Sequence, residues 1–415
     1  MTFDQFSLNP NIHAAIRAAG YFHPTPIQEQ AIPLILQGRD VLGLAQTGTG
    51  KTAAFVLPIL QQLHQNPSRG LRVLIIEPTR ELAEQVHQSI SDLSGNGKAR
   101  SATIYGGVNR NTQIKNARRG IEIFVACPGR LLDLMDEGQI DTSSLEIVVL
   151  DEADRLCDMG FLPDIRRILM YLPLNRQTLL FSATMPGDIR SLANRILKDP
   201  VQVQIGMNAP VNTVSHALYP VSETLKSQLL LSVLKQTPTG RVLVFTRTKR
   251  RACRLTANLA KNGYRVSALQ GDMKQNHRQS AIDGFRHGKY DILVATDIAA
   301  RGIDVSEISH VINFDMPDTA DTYTHRIGRT GRACNTGEAF TFIARVDEPL
   351  VRQIETILGS RIERRRVPGF APGELDSVVL PGSETAPDLV PQRKGHSRRF
   401  RPSVSGRKRR FLSSN

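Results

Sequence analysis

Short apolar runs punctuate the chain, and the stretches between them read as amphipathic helices with turn signals at their ends. In the first half the runs lie at residues 40–44, 71–76, 100–105, 122–126, 147–150, 178–181 and 201–205. In the second half they lie at 241–246, 265–270, 291–295, 310–314 and 339–343. The run Ile147-Val148-Val149-Leu150 is apolar at every position rather than alternating, which predicts a strand buried on both faces of a parallel sheet. Strands alternating with helices at short period predict an α/β fold of doubly wound parallel sheets. The alternation breaks at Gly206-Met207-Asn208-Ala209-Pro210 and then restarts, so two such domains are expected. The predicted boundaries are an N-terminal segment 1–38 belonging to the first domain, that domain's body at 39–205, a linker at 206–214, a second domain at 215–358, and a disordered spacer and basic tail at 359–415.

Composition changes this picture little. Hydrophobic content of 40% and charged content of 22% describe a soluble globular chain. No apolar run approaches the roughly 18 residues that a membrane helix needs, so no membrane partner is expected. The start of the chain shows no secretory leader. Cys127, Cys157, Cys253 and Cys334 form no Cys-x-x-Cys pair, which speaks against a zinc site and fits a reducing cytoplasm. Charge adds more. Of a net +14, nine positive charges fall in residues 391–415, among them Arg398, Arg399, Lys408, Arg409 and Arg410, with no acid between them. Such a segment, with Phe400 and Phe411 interleaved, predicts electrostatic binding of nucleic acid.

The candidate chemistry begins after the first strand. Ala45-Gln46-Thr47-Gly48-Thr49-Gly50-Lys51-Thr52 has the spacing of a Walker A phosphate loop, with alanine at the usual first glycine. Its glycines let backbone N–H groups converge on an anion at a helix N-terminus. Lys51 then reaches the terminal phosphates, and Thr52 offers a hydroxyl to Mg²⁺. Asp151 and Glu152 end the all-apolar strand, where parallel sheets place ligands. Carboxylates there are also ordinary caps, and the phosphate loop decides between the readings. Asp151 is assigned to the Mg²⁺ site through water, and Glu152 to deprotonating the attacking water. Arg80 and Arg130 follow strand ends, where they could hold a phosphate backbone. The second half has no phosphate loop but carries arginines, of which Arg329 and Arg332 would reach the γ-phosphate as fingers when the halves close.

Read together, these stretches resemble the DEAD-box ATP-dependent RNA helicases, and among them the bacterial RhlE-type group. The resemblance runs from residue 1 to about 350. It rests on Pro24-Thr25-Pro26-Ile27-Gln28, residues 45–52, Pro78-Thr79-Arg80-Glu81-Leu82-Ala83, Gly106-Gly107, Asp151-Glu152-Ala153-Asp154, Ser182-Ala183-Thr184, residues 295–304 and residues 325–332. It implies two RecA-like domains, ATP with Mg²⁺ as cofactors, and local unwinding of short RNA duplexes or remodelling of RNA–protein complexes. By similarity, Gln28 reads the adenine edge, Tyr21 stacks on its face, and Asp304, with Arg301 nearby, contacts the ribose. Asp154, Ser182, Thr184 and His325 couple hydrolysis to closure. The RNA backbone falls to Pro78, Thr79, Arg80, Gly107, Gly129, Arg130, Arg247, Gly271 and Thr296. Cys127 departs from the pattern, which has threonine there, and a weaker donor predicts a slightly weaker RNA grip. Ribosomal or RNA-decay partners occur in the family. A DNA-stimulated ATPase and an ATP-gated RNA clamp that unwinds little stand as the competing expectations.

Overall fold

The computed structural model describes residues 2–46, 48–67, 70–95, 99–117, 120–205, 214–237, 240–300, 305, 308–331 and 337–372. The proposed linker stretch 206–210, the assigned residues Thr47, Arg301, Asp304 and Arg332, and the basic segment 391–415 lie outside the described residues.

Every predicted apolar run forms a strand. The first sheet consists of β1 (Val41–Leu44), β2 (Val73–Ile76), β3 (Ser101–Ile104), β4 (Ile123–Ala126), β5 (Ile147–Leu150), β6 (Gln177–Ser182) and β7 (Val201–Gln204). All its pairings are parallel, in the order β3-β4-β2-β5-β6-β1-β7. β5 is central, and its side chains divide as its composition requires. Ile147 and Val149 pack with the helix Lys51–Gln65, while Val148 and Leu150 pack on the opposite face with the helices Pro128–Asp136 and Leu162–Met170. Because side chains alternate along a strand, Asp151 follows Val149 onto the face that carries the phosphate-loop helix.

The second sheet repeats the first. It contains β8 (Val214–Pro220), β9 (Arg241–Phe245), β10 (Val266–Leu269), β11 (Ile292–Ala295), β12 (Ile308–Asn313), β13 (Gly337–Ile343) and β14 (Glu363–Arg364). Its order, β10-β11-β9-β12-β13-β8-β14, is the first sheet's order with each strand replaced by its counterpart seven places on, and all its pairings are parallel. The fold is therefore two tandem RecA-like doubly wound domains.

Two expectations need correction. The linker does not extend to 214, because Val214 opens β8 and pairs with Gly337. Nor does the second domain end at 358. Residues beyond Gly359 return to the sheet, where Glu363 and Arg364 pair with Ala217 and Leu218, and Ile362 and Val367 are buried. No apolar run marks this return, since β14 has only two residues, both charged, and its anchors lie outside it. Among the described residues no helix is long and apolar enough to cross a membrane.

Candidate functional site

The phosphate loop leaves β1 with the Ala45 N–H donating to Ser182 O on the adjacent strand β6 (3.0 Å). Gly48 and Gly50 have φ of 84° and 91°, a left-handed region that glycine enters without steric cost. The Lys51 ammonium is buried and donates to Ala45 O (2.7 Å), so it lies folded over the loop. Gln28 reaches the same loop from the helix Pro26–Leu36. Its Nε2 donates to Gly50 O (3.1 Å), and its Oε1 accepts from the Thr25 N–H (2.9 Å). Gln28 is thus buried against the phosphate loop rather than lying on a surface helix face, and Tyr21, seven residues earlier, stays 41% exposed.

Beyond β5, the Asp151 N–H donates to Ile76 O (3.1 Å), and its Oδ1 accepts from the Glu152 N–H (2.8 Å). Burial pushes the Asp151 carboxyl up to about 6, against the pull of Lys51. Glu152 has φ of 45° and begins the helix Ala153–Asp158. Its carboxylate lies 2.5 Å from Arg155 Nη1 as an ion contact without hydrogen-bond alignment, and both side chains are buried. Asp154 is the most completely bonded of the acids. Its Oδ2 accepts from Ala183 N (3.1 Å), Thr184 N (2.8 Å) and Thr184 Oγ1 (3.0 Å), while its own N–H donates to Ser182 Oγ (3.2 Å). Burial opposes its ionisation, but Lys51 and the Thr184 donors outweigh that and hold it below the usual carboxylate range.

The second domain meets this group of residues directly. Arg155 lines a small cavity of about 30 Å³ together with Phe245, Asp297, His325, Arg326 and Arg329. Burial and the neighbouring Arg155 push the His325 imidazole down, with Asp154 pulling the other way. Arg326 is locked in place. It forms two bonds to the Asp297 carboxylate (2.6 and 2.7 Å), donates to Asn313 Oδ1 (3.1 Å) and Asp315 O (2.6 Å), and lies 5.0 Å from the Phe245 ring centroid. Arg329 lies in the turn just past the end of the helix Ala320–Ile327, its N–H donating to Arg326 O (3.2 Å), and is buried.

A second cleft, of about 350 Å³, gathers six of the residues assigned to RNA: Pro78, Thr79, Arg80, Gly129, Arg130 and Gly271. Gly107 is not on its lining but packs on Arg80, since a Cβ there would lie 2.3 Å from Arg80 Nη1. Arg247 and Thr296 are likewise off the lining, at the carboxyl ends of β9 and β11. Across the cleft Arg278 Nε donates to Glu81 Oε1 (2.9 Å), Gln275 Nε2 donates to the same oxygen (3.3 Å), and Arg80 Nη1 donates to Gln275 Oε1 (3.4 Å).

Sequence reasoning missed Glu81, Gln275, Arg278 and Arg155 as site residues. It missed Glu77 as well, which is fully buried next to Asp151 at the end of β2. Among the described residues neither carboxyl oxygen of Glu77 has a hydrogen-bond partner. Burial, with Asp151 and Glu152 adding to it, pushes that carboxyl well above its usual range. Cys127 occupies the corresponding place at the end of β4, on the other side of Glu77, and its thiol is pushed up by burial and by that glutamate. A cue was present, since Glu77 is a charge directly abutting an apolar run, but only the strand order shows whose neighbour it is.

Comparison with known proteins settles the family. The family model for DEAD/DEAH box helicases matches residues 25–192, and that for the helicase conserved C-terminal domain matches 225–334. The RNA helicase CrhR of Synechocystis is 42% identical over 379 residues, covering 91% of this chain and 77% of the relative. The DEAD-box ATP-dependent RNA helicase RhpA of Helicobacter pylori is 40% identical over 368 residues, covering 88% and 74%. This chain belongs to the DEAD-box RNA helicases. Among solved structures, Dbp5 of S. cerevisiae bound to RNA and ADP BeF3 superposes with a TM-score of 0.79 at 31% identity, covering 88% of this chain and 95% of that one. As a DEAD-box helicase the chain pairs the two arrays described above: acids and a phosphate loop on the first domain, arginines and a histidine on the second.

Proposed function

We infer that this DEAD-box protein hydrolyses ATP when RNA draws its two domains together, and uses that closure to open short RNA duplexes. The observation that carries the reading is the meeting of the two domains around one small cavity, where Arg155, on the helix that carries Asp154 and its bonds to the Ser182-Ala183-Thr184 turn, faces His325 and Arg329. Each residue then has a defined task. The loop amides and Lys51 hold the ATP phosphates, the Lys51 ammonium exchanging Ala45 O for phosphate oxygen. Gln28 and Tyr21 recognise the adenine, and the Gln28 bond to Gly50 O makes the loop responsive to that recognition. Thr52 and Asp151 supply a hydroxyl and a carboxylate, the hard oxygen donors that Mg²⁺ prefers. Mg²⁺ held there would neutralise phosphate charge. Glu152 takes the proton of the attacking water, and the role of arginine finger toward the γ-phosphate falls to Arg329 and Arg332. Residues of the larger cleft hold one RNA strand by its backbone, which positions it without reading its sequence.

The test compares ATPase stimulation by RNA and by DNA of matched sequence, alongside strand displacement on a short duplex. RNA alone should stimulate, and displacement should require ATP. Equal stimulation by DNA would sink the RNA assignment, while stimulation without displacement would leave an ATP-gated clamp.

A further inference from the structure

A groove of about 720 Å³ crosses the second domain between the start of the helix Lys226–Gln236 and the helix Lys249–Lys261. Its floor includes Phe314 and Leu255, both buried, and its polar walls carry Glu223 on one side and Arg250, Arg251 and Arg254 on the other. These arginines are not equivalent. Arg251 is committed to Glu223 and Asp315, and its guanidinium covers the Phe314 ring at 5.7 Å from the centroid. Lys249, just before them, faces Asp272. Arg250 and Arg254 are exposed, lie four residues apart on one helix face, and have no ion-pair partner among the described residues. The groove thus presents two uncommitted guanidiniums.

Its position is as informative as its charge. Thr248 lines the groove and caps the helix, accepting from the Arg251 N–H (3.2 Å). The residue before it is Arg247, at the carboxyl end of β9 and assigned to RNA backbone. The groove therefore opens one residue from a surface already read as RNA-binding. We propose that it carries the single-stranded RNA flanking the stretch gripped in the cleft, a step that rests on Arg247 meeting RNA. Guanidinium forks match phosphate oxygens. Among the described residues no aromatic face is exposed in the groove for a base to stack on, because Phe314 is buried under Arg251. The contact is accordingly to the backbone and independent of sequence. A groove on one domain lies on one side of the gripped strand, so it serves a flank of one polarity only.

The experiment uses the full chain with a non-hydrolysable ATP analogue and fluorescence anisotropy on three RNAs. One is short and fills only the cleft; the others extend it at the 5′ or the 3′ end. Arg250→Gln/Arg254→Gln should match wild type on the short RNA and in ATPase stimulated by it. It should lose about tenfold in affinity for one of the two extended RNAs, with a salt slope shallower by roughly 1.4, at about 0.7 per released phosphate contact. Arg250→Lys/Arg254→Lys should keep most of that slope. Equal loss on both extensions, loss on the short RNA, or no loss on any of them overturns the proposal; the last result would favour an acidic protein segment as the occupant. Failure of wild type to bind the short RNA is a separate outcome, which removes the parent reading and this one with it.

Discussion

Glu152 holds a left-handed backbone conformation at φ 45°, which costs a non-glycine residue about 1–3 kcal/mol. The surroundings that maintain it are visible. Asp151 Oδ1 accepts its N–H, its backbone starts the helix Ala153–Asp158, and Arg155 meets its carboxylate in a buried pair. Glu152→Gln keeps the shape and removes the base. ATP and RNA affinities should stay within a few-fold of wild type while turnover falls by at least about 10²-fold, the lower range for a general base. Single-turnover hydrolysis measures this, with the thermal midpoint as a control for the Arg155 left facing an amide. Wild-type turnover would remove Glu152 from its role. Asp151, Glu152 and Lys51 were legible in sequence because their neighbours are local: a strand end and a glycine turn. Asp154, whose partners Ser182, Ala183 and Thr184 lie 28 to 30 residues on, was singled out by the family resemblance alone. Gln28 was not legible from its own surroundings, where it reads as a surface residue, and only the family resemblance singled it out. Glu77 was invisible for a stronger reason. Its meaning comes from lying between β4 and β5 in the sheet, and strand order is not written in any one stretch of chain.

The same limit operates on elements. Strands with continuous apolar runs were readable because burial on two faces demands them. β8 and β14 were not, although they are the counterparts of β1 and β7 in an otherwise repeated sheet. β8, with the sequence Val-Ser-His-Ala-Leu-Tyr-Pro, mixes polar and apolar positions: His216 bonds the Tyr323 hydroxyl (2.9 Å), while Ala217 and Leu218 are buried. β14 is held less by its own two residues than by what surrounds it. The Ile362 N–H donates to Glu355 Oε1 (2.9 Å), Val367 packs into the core, and Ser222 N donates to Pro372 O (3.1 Å). A chain ending at Gly359 loses the burial of Ile362 and Val367, worth roughly 3–6 kcal/mol as an upper bound. A chain ending at Pro372 keeps it. Thermal unfolding should show the shorter chain's second transition lowered by on the order of 10 °C, or the chain insoluble, and the longer one unchanged. Equal midpoints would show that the return strand is an ornament.

At the scale of the molecule, closure depends on contacts between domains that share no sequence neighbourhood. One buried charged contact joins Glu81, three residues after Pro78, to Arg278 of the helix Gln275–Arg286, with side chains 6% and 10% exposed. Its two ends are not symmetric. Arg278 also donates to Gln270 O (3.3 Å) and Ala299 O (3.4 Å) within its own domain, so it keeps acceptors when Glu81 is changed. Glu81 would be left with the Gln275 amide alone. Removing one partner of a buried pair costs about 3–5 kcal/mol when a charge is stranded, and much less when other groups satisfy it. Arg278→Gln should therefore weaken closure more than Glu81→Gln, and the double variant should recover part of the loss because no stranded carboxylate remains. Both closure, read by fluorescence transfer between labels on the two domains with RNA and an ATP analogue, and RNA-stimulated ATPase should follow this order. ATP binding without RNA should be unaffected, since neither residue lies in the phosphate loop. Additive losses in the double-mutant cycle would mean that the two side chains act separately, and that closure is set by the Asp154–His325 side of the interface instead.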